Sequence, residues 1–165
     1  MKTTLFLTLI LIYSSQELAA KEHSIPKTTA GLEVKTLEGK TSSFRQQLKK
    51  DRWNIVFVWT TYCNHCVDQY PFLSQLHDNK SNNAAVIGVC LDKESSLKKI
   101  KSSRIEKNHS FPSVIADSVT FSEAYEINTG EPFTGTPTYL LYYGYKFQAF
   151  LDGPTNKETI TDFIN

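Results

Sequence analysis

Two cysteines, Cys63 and Cys66, stand three residues apart in the stretch VWTTYCNHCVDQYP, with Asn64 and His65 between them. Such a pair can exchange disulfides, supply half of a metal site, or do neither. Redox work needs a thiol of low pKa, because the thiolate rather than the thiol attacks a disulfide. The surroundings supply a reason for one. WNIVFVW, residues 53–59, is a nearly continuous apolar run, as in a strand buried on both faces. From Cys63 to His77 the spacing of Val67, Tyr70, Leu73 and Leu76 is helical. Cys63 therefore falls where a strand gives way to a helix, and the free N–H groups and dipole of a first turn favour negative charge on its sulfur. Cys66 comes round to the same face and can attack a mixed disulfide formed on Cys63. Structural zinc generally takes four ligands, and there is no second Cys-x-x-Cys and no suitably spaced histidine pair; His65 and His77 do not complete a set. No metal is expected.

These residues need a frame. GLEVKTLEGKTSSF alternates around Glu38-Gly39-Lys40 and predicts a hairpin, and TSSFRQQLKK predicts a short helix after it. AAVIGVCL, residues 84–91, reads as a second buried strand, and Cys90 within it as an unreactive buried thiol. Pro71 should kink the helix after the cysteines. KESSLKKIKSSRIEK predicts a helix whose basic outer side is a solvated face. A strand over Phe111–Ile115 and a helix over Ser122–Ile127 follow. Thr138–Tyr143 and Tyr145–Leu151, joined at Gly144, predict an antiparallel hairpin. Thr155 and Glu158 stand at capping-box spacing before a closing helix. The long crossover from 53–59 to 84–91 implies parallel central strands, so an α/β fold with a mixed sheet and helices on both faces is expected.

The chain has 165 residues, a net charge of +1 and three cysteines. Residues 1–20, with Lys2, an apolar stretch from Leu5 to Tyr13 and small residues ending in Ala19-Ala20, have the layout of a cleaved signal peptide; an uncleaved membrane anchor is the alternative. Residues 21–30 read as a lead-in and 31–165 as one domain. The balance stays at +1 without the leader, so no basic excess points to nucleic acid and no charge block to a membrane surface. Export would place the cysteines among oxidising surroundings, where paired thiols are structural disulfides or redox machinery.

NIVFVWTTYCNHCVDQYPFL, then VIGVCLD, then GTPTYLLYYGYKFQAFLDG, resembles the thioredoxin fold, and more narrowly the exported TlpA/ResA-like thiol-disulfide oxidoreductases. The carriers are the aromatic-x-x-aromatic-Cys-x-x-Cys block, Pro71, and the Thr136-Pro137 pair. The resemblance implies a thioredoxin-like domain with Cys63 as attacking and Cys66 as resolving cysteine. It implies that Pro137 is a cis-proline beside the pair, that Thr136 pairs with a substrate peptide, and that Trp59 and Asn64 contribute substrate contacts. No cofactor beyond the cysteine pair is implied. The expected partners are protein substrates with thiols or disulfides and a membrane electron donor, and the expected state is a monomer.

Departures leave the direction of electron flow open. Relatives place a buried acid where this chain has Phe57 or Gln69, while Asp68 points elsewhere around the helix. His65 between the cysteines resembles DsbA-like disulfide donors, since an imidazolium there would stabilise a thiolate and make the disulfide more oxidising. Thr136 before the proline resembles the isomerases. A periplasmic or secreted reductant is the leading expectation, an oxidase or isomerase the alternative, with copper handling or a non-catalytic binding module behind them. Asn128–Phe133 reads as an insertion that could overhang the cysteines.

Overall fold

The structure, a computed structural model, describes residues 28–79 and 83–165. The leader reading over 1–20 lies outside the described residues, as does most of the lead-in. Thr29 in that lead-in is wholly buried, its hydroxyl bonded to that of Tyr142, so the domain body begins before residue 31.

Seven strands among the described residues form one sheet: β1 (Glu33–Thr36), β2 (Thr41–Ser43), β3 (Trp53–Trp59), β4 (Ala84–Cys90), β5 (Ser113–Ile115), β6 (Thr138–Tyr143) and β7 (Lys146–Asp152). Their order is β2-β1-β5-β4-β3-β6-β7. The central β3, β4 and β5 run parallel, as the two crossovers demand, and the hairpins β1–β2 and β6–β7 add antiparallel strands at either side. Helices α1 (Asn64–Val67), α2 (Tyr70–Asp78), α3 (Leu97–Glu106), α4 (Ser118–Thr129) and α5 (Lys157–Ile164) cover both faces. On one face Cys66, Tyr70, Leu73, Leu76, Ile100 and Ile160 pack on Ile55, Phe57 and Trp59. On the other, Phe121, Ala124 and Tyr125 pack with Phe44 and Leu48 on Val56 and Val58. Alternate residues of β3 thus enter opposite cores, which is why its sequence is apolar without alternation. The mixed sheet covered on both faces is the architecture expected.

Several boundaries differ for physical reasons. The helix predicted over 41–50 is strand β2 followed by a 3-10 turn, Phe44–Gln47. It stops because the buried Asn54 side chain captures the next backbone: Oδ1 accepts from Lys49 N–H at 2.7 Å and Nδ2 donates to Lys49 O at 2.9 Å. The helix after the cysteines is broken rather than kinked. Gln69 N–H closes on Cys66 O, and α2 restarts at Tyr70 with Pro71 in its first turn, where a missing N–H costs nothing. The helix predicted at 122–127 extends to Ser118–Thr129, because the Asp117 carboxylate caps it by accepting from Thr120 N–H at 2.9 Å. The closing helix is capped by Asn156 rather than Thr155. Thr155 N–H is taken by Gln69 Oε1 at 3.1 Å, and Asn156 Oδ1 accepts from Thr159 N–H at 2.8 Å instead.

Candidate active site

Register decides what meets at the end of β3. Val58 pairs with Thr138 of antiparallel β6 and Trp59 with Cys90 of parallel β4. The loop leaving β3 toward Cys63 and the segment entering β6 through Thr136-Pro137 therefore emerge from the same end of adjacent strands. Segments more than 70 positions apart in the chain thus leave the sheet at one end of two neighbouring strands.

Cys63 and Cys66 are joined in a disulfide, with Cα atoms 5.3 Å apart. The two sulfurs are not equivalent. Cys63 is half-buried, whereas Cys66 is wholly buried and belongs to the core beside Tyr70 and Phe57. Cys63 caps α1, and its Sγ accepts from Cys66 N–H at 3.1 Å. That amide is aimed at the sulfur that would carry charge after reduction, and a hydrogen bond to the charged form lowers a pKa. Of the environment expected for Cys63 the structure holds this one amide, and α1 is a single turn of four residues rather than the long helix expected.

The loop is held from both sides. Asp92, following β4, is 7% exposed and accepts from Thr61 N–H at 3.1 Å and Thr61 Oγ1 at 2.5 Å. Leu91 N–H donates to Trp59 O at 3.0 Å. Across the sheet the Thr136–Pro137 bond is cis, and Pro137 is buried. Gly153 N–H donates to Pro137 O at 2.9 Å, while Thr138 Oγ1 donates to Gly135 O at 2.6 Å and to Asp152 Oδ1 at 3.2 Å. The second Asp152 partner is Tyr125 OH, at 2.9 Å, so a helix of the opposite layer also braces this segment.

The remaining predicted residues fall differently. Asn64 and His65 are exposed beside the disulfide, and Thr136 is half-buried next to Pro137. Trp59 is a correction: it is 0% exposed, packed edge-on to Tyr70 and His109, and so lies behind the pair as core rather than before it as a substrate contact. The exposed aromatic at the rim is Tyr62, 69% accessible, with the Lys99 ammonium 3.6 Å from its ring centroid. Its position as the second aromatic of the block was the available signal. In the segment 128–133, whose first two residues end α4, Phe133 packs on Phe121 and Tyr125 in the core of the opposite face from Cys66.

Gln69, standing where relatives carry an acid, is 5% exposed and accepts from Tyr139 OH at 2.6 Å as well as from Thr155 N–H. It is a neutral strut between α2, β6 and the start of α5. Burial raises the pKa of Tyr139 and of Tyr70, with Cys90 and then Asp92 adding to the effect at Tyr70, so both stay protonated. Cys90 is pushed up to about 12 by burial. Among the described residues no three His, Cys, Asp or Glu are placed to hold a metal.

The AhpC/TSA family pattern matches residues 25–144 of the chain. No curated protein matches it in sequence. Solved structures do share the fold. A secreted Mycobacterium tuberculosis disulfide oxidoreductase homologous to E. coli DsbE superposes with a TM-score of 0.63 at 14% identity, over 82% of this chain and 96% of that one. A thioredoxin-family thiol:disulfide interchange protein from Chlorobium tepidum gives 0.65 at 19%, over 83% and 93%. StoA from Bacillus subtilis gives 0.61 at 19%, over 85% and 100%.

Proposed function

This chain belongs to the AhpC/TSA family, and from that premise we propose that it is an exported thiol-disulfide oxidoreductase acting on protein cysteines. The observation that carries the reading is the inequality of the two sulfurs: one reachable at the rim, one sealed beneath it.

In the reducing direction the Cys63 thiolate attacks one sulfur of a substrate disulfide. A Cys63–substrate bond forms, the substrate S–S bond breaks, and its electron pair leaves on the second substrate sulfur, which takes a proton from solvent. Cys66, its proton passed to water, attacks Cys63 Sγ and breaks the Cys63–substrate bond, whose electron pair leaves on the substrate sulfur and takes up a proton. The intramolecular disulfide closes, the substrate departs as a dithiol, and the two electrons have passed from protein to substrate. A recharging donor, expected at the membrane, restores the dithiol. Run backwards, the same steps oxidise a substrate. Thr136 and Pro137 present backbone beside the pair for an extended substrate segment to lie against. The reductant direction follows the TlpA/ResA-like motif pattern; His65 exposed beside the sulfurs favours the oxidase direction. The apolar leader over 1–20 supports export, and the secreted Mycobacterium neighbour is consistent with it.

Substitution of the buried partner tests the reading. Cys66→Ala should accumulate mixed disulfides on Cys63 that dithiothreitol releases, and Cys63→Ala should accumulate none. Failure of the wild type to exchange with any disulfide, with both cysteines intact, would refute it. The redox potential then assigns direction: a value near about −270 mV, as in thioredoxin, indicates a reductant and one near about −120 mV a donor.

A further inference from the structure

The stretch from Lys93 to Lys107 holds six cations, Lys93, Lys98, Lys99, Lys101, Arg104 and Lys107, against the carboxylates Glu94 and Glu106, in a chain whose whole net charge is +1. This stretch, α3 and its two flanks, is locally basic on a body that is otherwise slightly acidic. Its charges are not used alike. Arg104 is spent inside, donating from Nη2 to Phe111 O at 2.6 Å. Glu94 is held by Lys35 at 2.5 Å, and Glu106 stands at the far end of α3. Asp92, the carboxylate nearest in the chain on the β4 side, is buried on Thr61. Lys98 and Lys99 remain exposed in the first turn of α3.

Helix stability does not call for them there. A 3-10 turn, Glu94–Ser96, leads straight into α3 and carries the acid Glu94. The first turn of α3 itself has no acidic residue and no side-chain cap, and a helix dipole disfavours cations at that end. Lys99 is nevertheless committed to the site, its ammonium over the ring of Tyr62, the residue before Cys63. We propose that the first turn of α3, joined to the rim of the disulfide through Lys99 and Tyr62, is a docking surface for acidic residues flanking the cysteines of the protein substrate. The proposal rests on the exchange reading above and names the substrate class it serves. Charges are screened within about 8–10 Å at ordinary ionic strength, so the acidic residues must lie close to the exchanging sulfurs. Whatever engages Lys99 sits against Tyr62 and hence beside Cys63, which favours the substrate itself over a nucleic acid or a lipid surface.

The test uses the reduced full chain and three peptides of equal length. Each closes one Cys-x-x-Cys disulfide, flanked by Asp/Glu, by Ser/Asn, or by Lys/Arg. At low salt the acidic peptide should be reduced about tenfold faster than the uncharged one, at the low end of electrostatic steering, and the basic peptide more slowly than either. The order should shrink to within about twofold at about 0.5 M salt. The double variant Lys98→Glu/Lys99→Gln should abolish or reverse the acidic-over-uncharged ratio; both residues are exposed, so its core is intact. Equal rates for the three peptides in the wild type, or a preference that survives the double variant, overturns the proposal while leaving the exchange reading standing. Binding to phosphatidylglycerol vesicles without any peptide preference also overturns it, in favour of a lipid surface. Exchange with none of the peptides overturns the exchange reading instead.

Discussion

His109 offers a measurement of how dry the core behind the cysteines is. The residue is 4% exposed. Its ring stacks on Phe111 with centroids 3.7 Å apart, and Tyr70 and Trp59 stand 4.9 and 5.0 Å away. Nε2 shares a hydrogen bond with Ser113 Oγ at 3.0 Å, and Nδ1 has no partner among the described residues. Burial, aided by the nearby Arg104 guanidinium, pushes its pKa from 6.5 down to about 3. The folded state therefore holds a neutral imidazole over a range in which the unfolded chain binds a proton. The stability this contributes is complete above pH 6.5 and is lost as the pH falls toward 3. Between about pH 7.5 and 4.5 the loss is about 2 to 3 kcal/mol, approaching about 5 below the folded pKa. Carboxylates titrate over the same interval, so the comparison must be with a variant. Urea unfolding of wild type and His109→Phe, disulfide intact, should show the wild type losing about 2 to 3 kcal/mol more on acidification. With slopes typical of small proteins that is a midpoint difference of roughly 1–2 M urea. Should the variant not fold, the wild-type ring resonances give the same information by staying neutral to about pH 4. Parallel pH dependences, or a ring titrating near its ordinary value, would refute a sealed imidazole and with it the description of this core.

Other consequences follow from single contacts. A methyl added by Gly88→Ala would fall inside contact distance of Ser113 Oγ and 2.9 Å from Trp59 Nε1. Overpacking of this kind should cost about 1–3 kcal/mol in a denaturant midpoint, and the Gly88→Ala/Ser113→Ala double variant should lose less than the sum of the two single changes. Thr61→Val removes the 2.5 Å bond to the buried Asp92 carboxylate. It should destabilise by about 1.5–3 kcal/mol and slow exchange at Cys63; an unchanged rate would show that this anchor does not position the loop. Cys90, wholly buried and with its thiol pushed up to about 12, should resist iodoacetamide near neutrality in the folded protein and react after unfolding, as mass spectrometry would show.

The chemistry was legible in the sequence because it is local. Cys63, two residues and Cys66 bring their sulfurs together within one turn of backbone, and the apolar run of 53–59 announces a strand that needs cover on both faces. The parallel crossover and the terminal hairpin followed from element order alone. Boundaries were less legible, because they were set by side chains reaching in from elsewhere. Asn54 stops the turn at Gln47, and Gln69 takes the amide of Thr155 and moves a cap by one residue.

What only the tertiary structure decided is which side of the core each group faces. Trp59 and Tyr62 are both aromatic and three residues apart, yet one is sealed against Tyr70 and His109 and the other lies open under Lys99. Gln69 reads in sequence as an acid lost from the site; in the fold it is a neutral amide gathering two donors that a chain-local reading cannot bring together. Cys63 and Cys66 are chemically identical residues, and it is packing that leaves one sulfur at the rim and buries the other. Spacing is a property of the chain and survives in the sequence. Burial and charge neighbourhood are properties of the closed sheet and its helices, which exist only once distant segments have met.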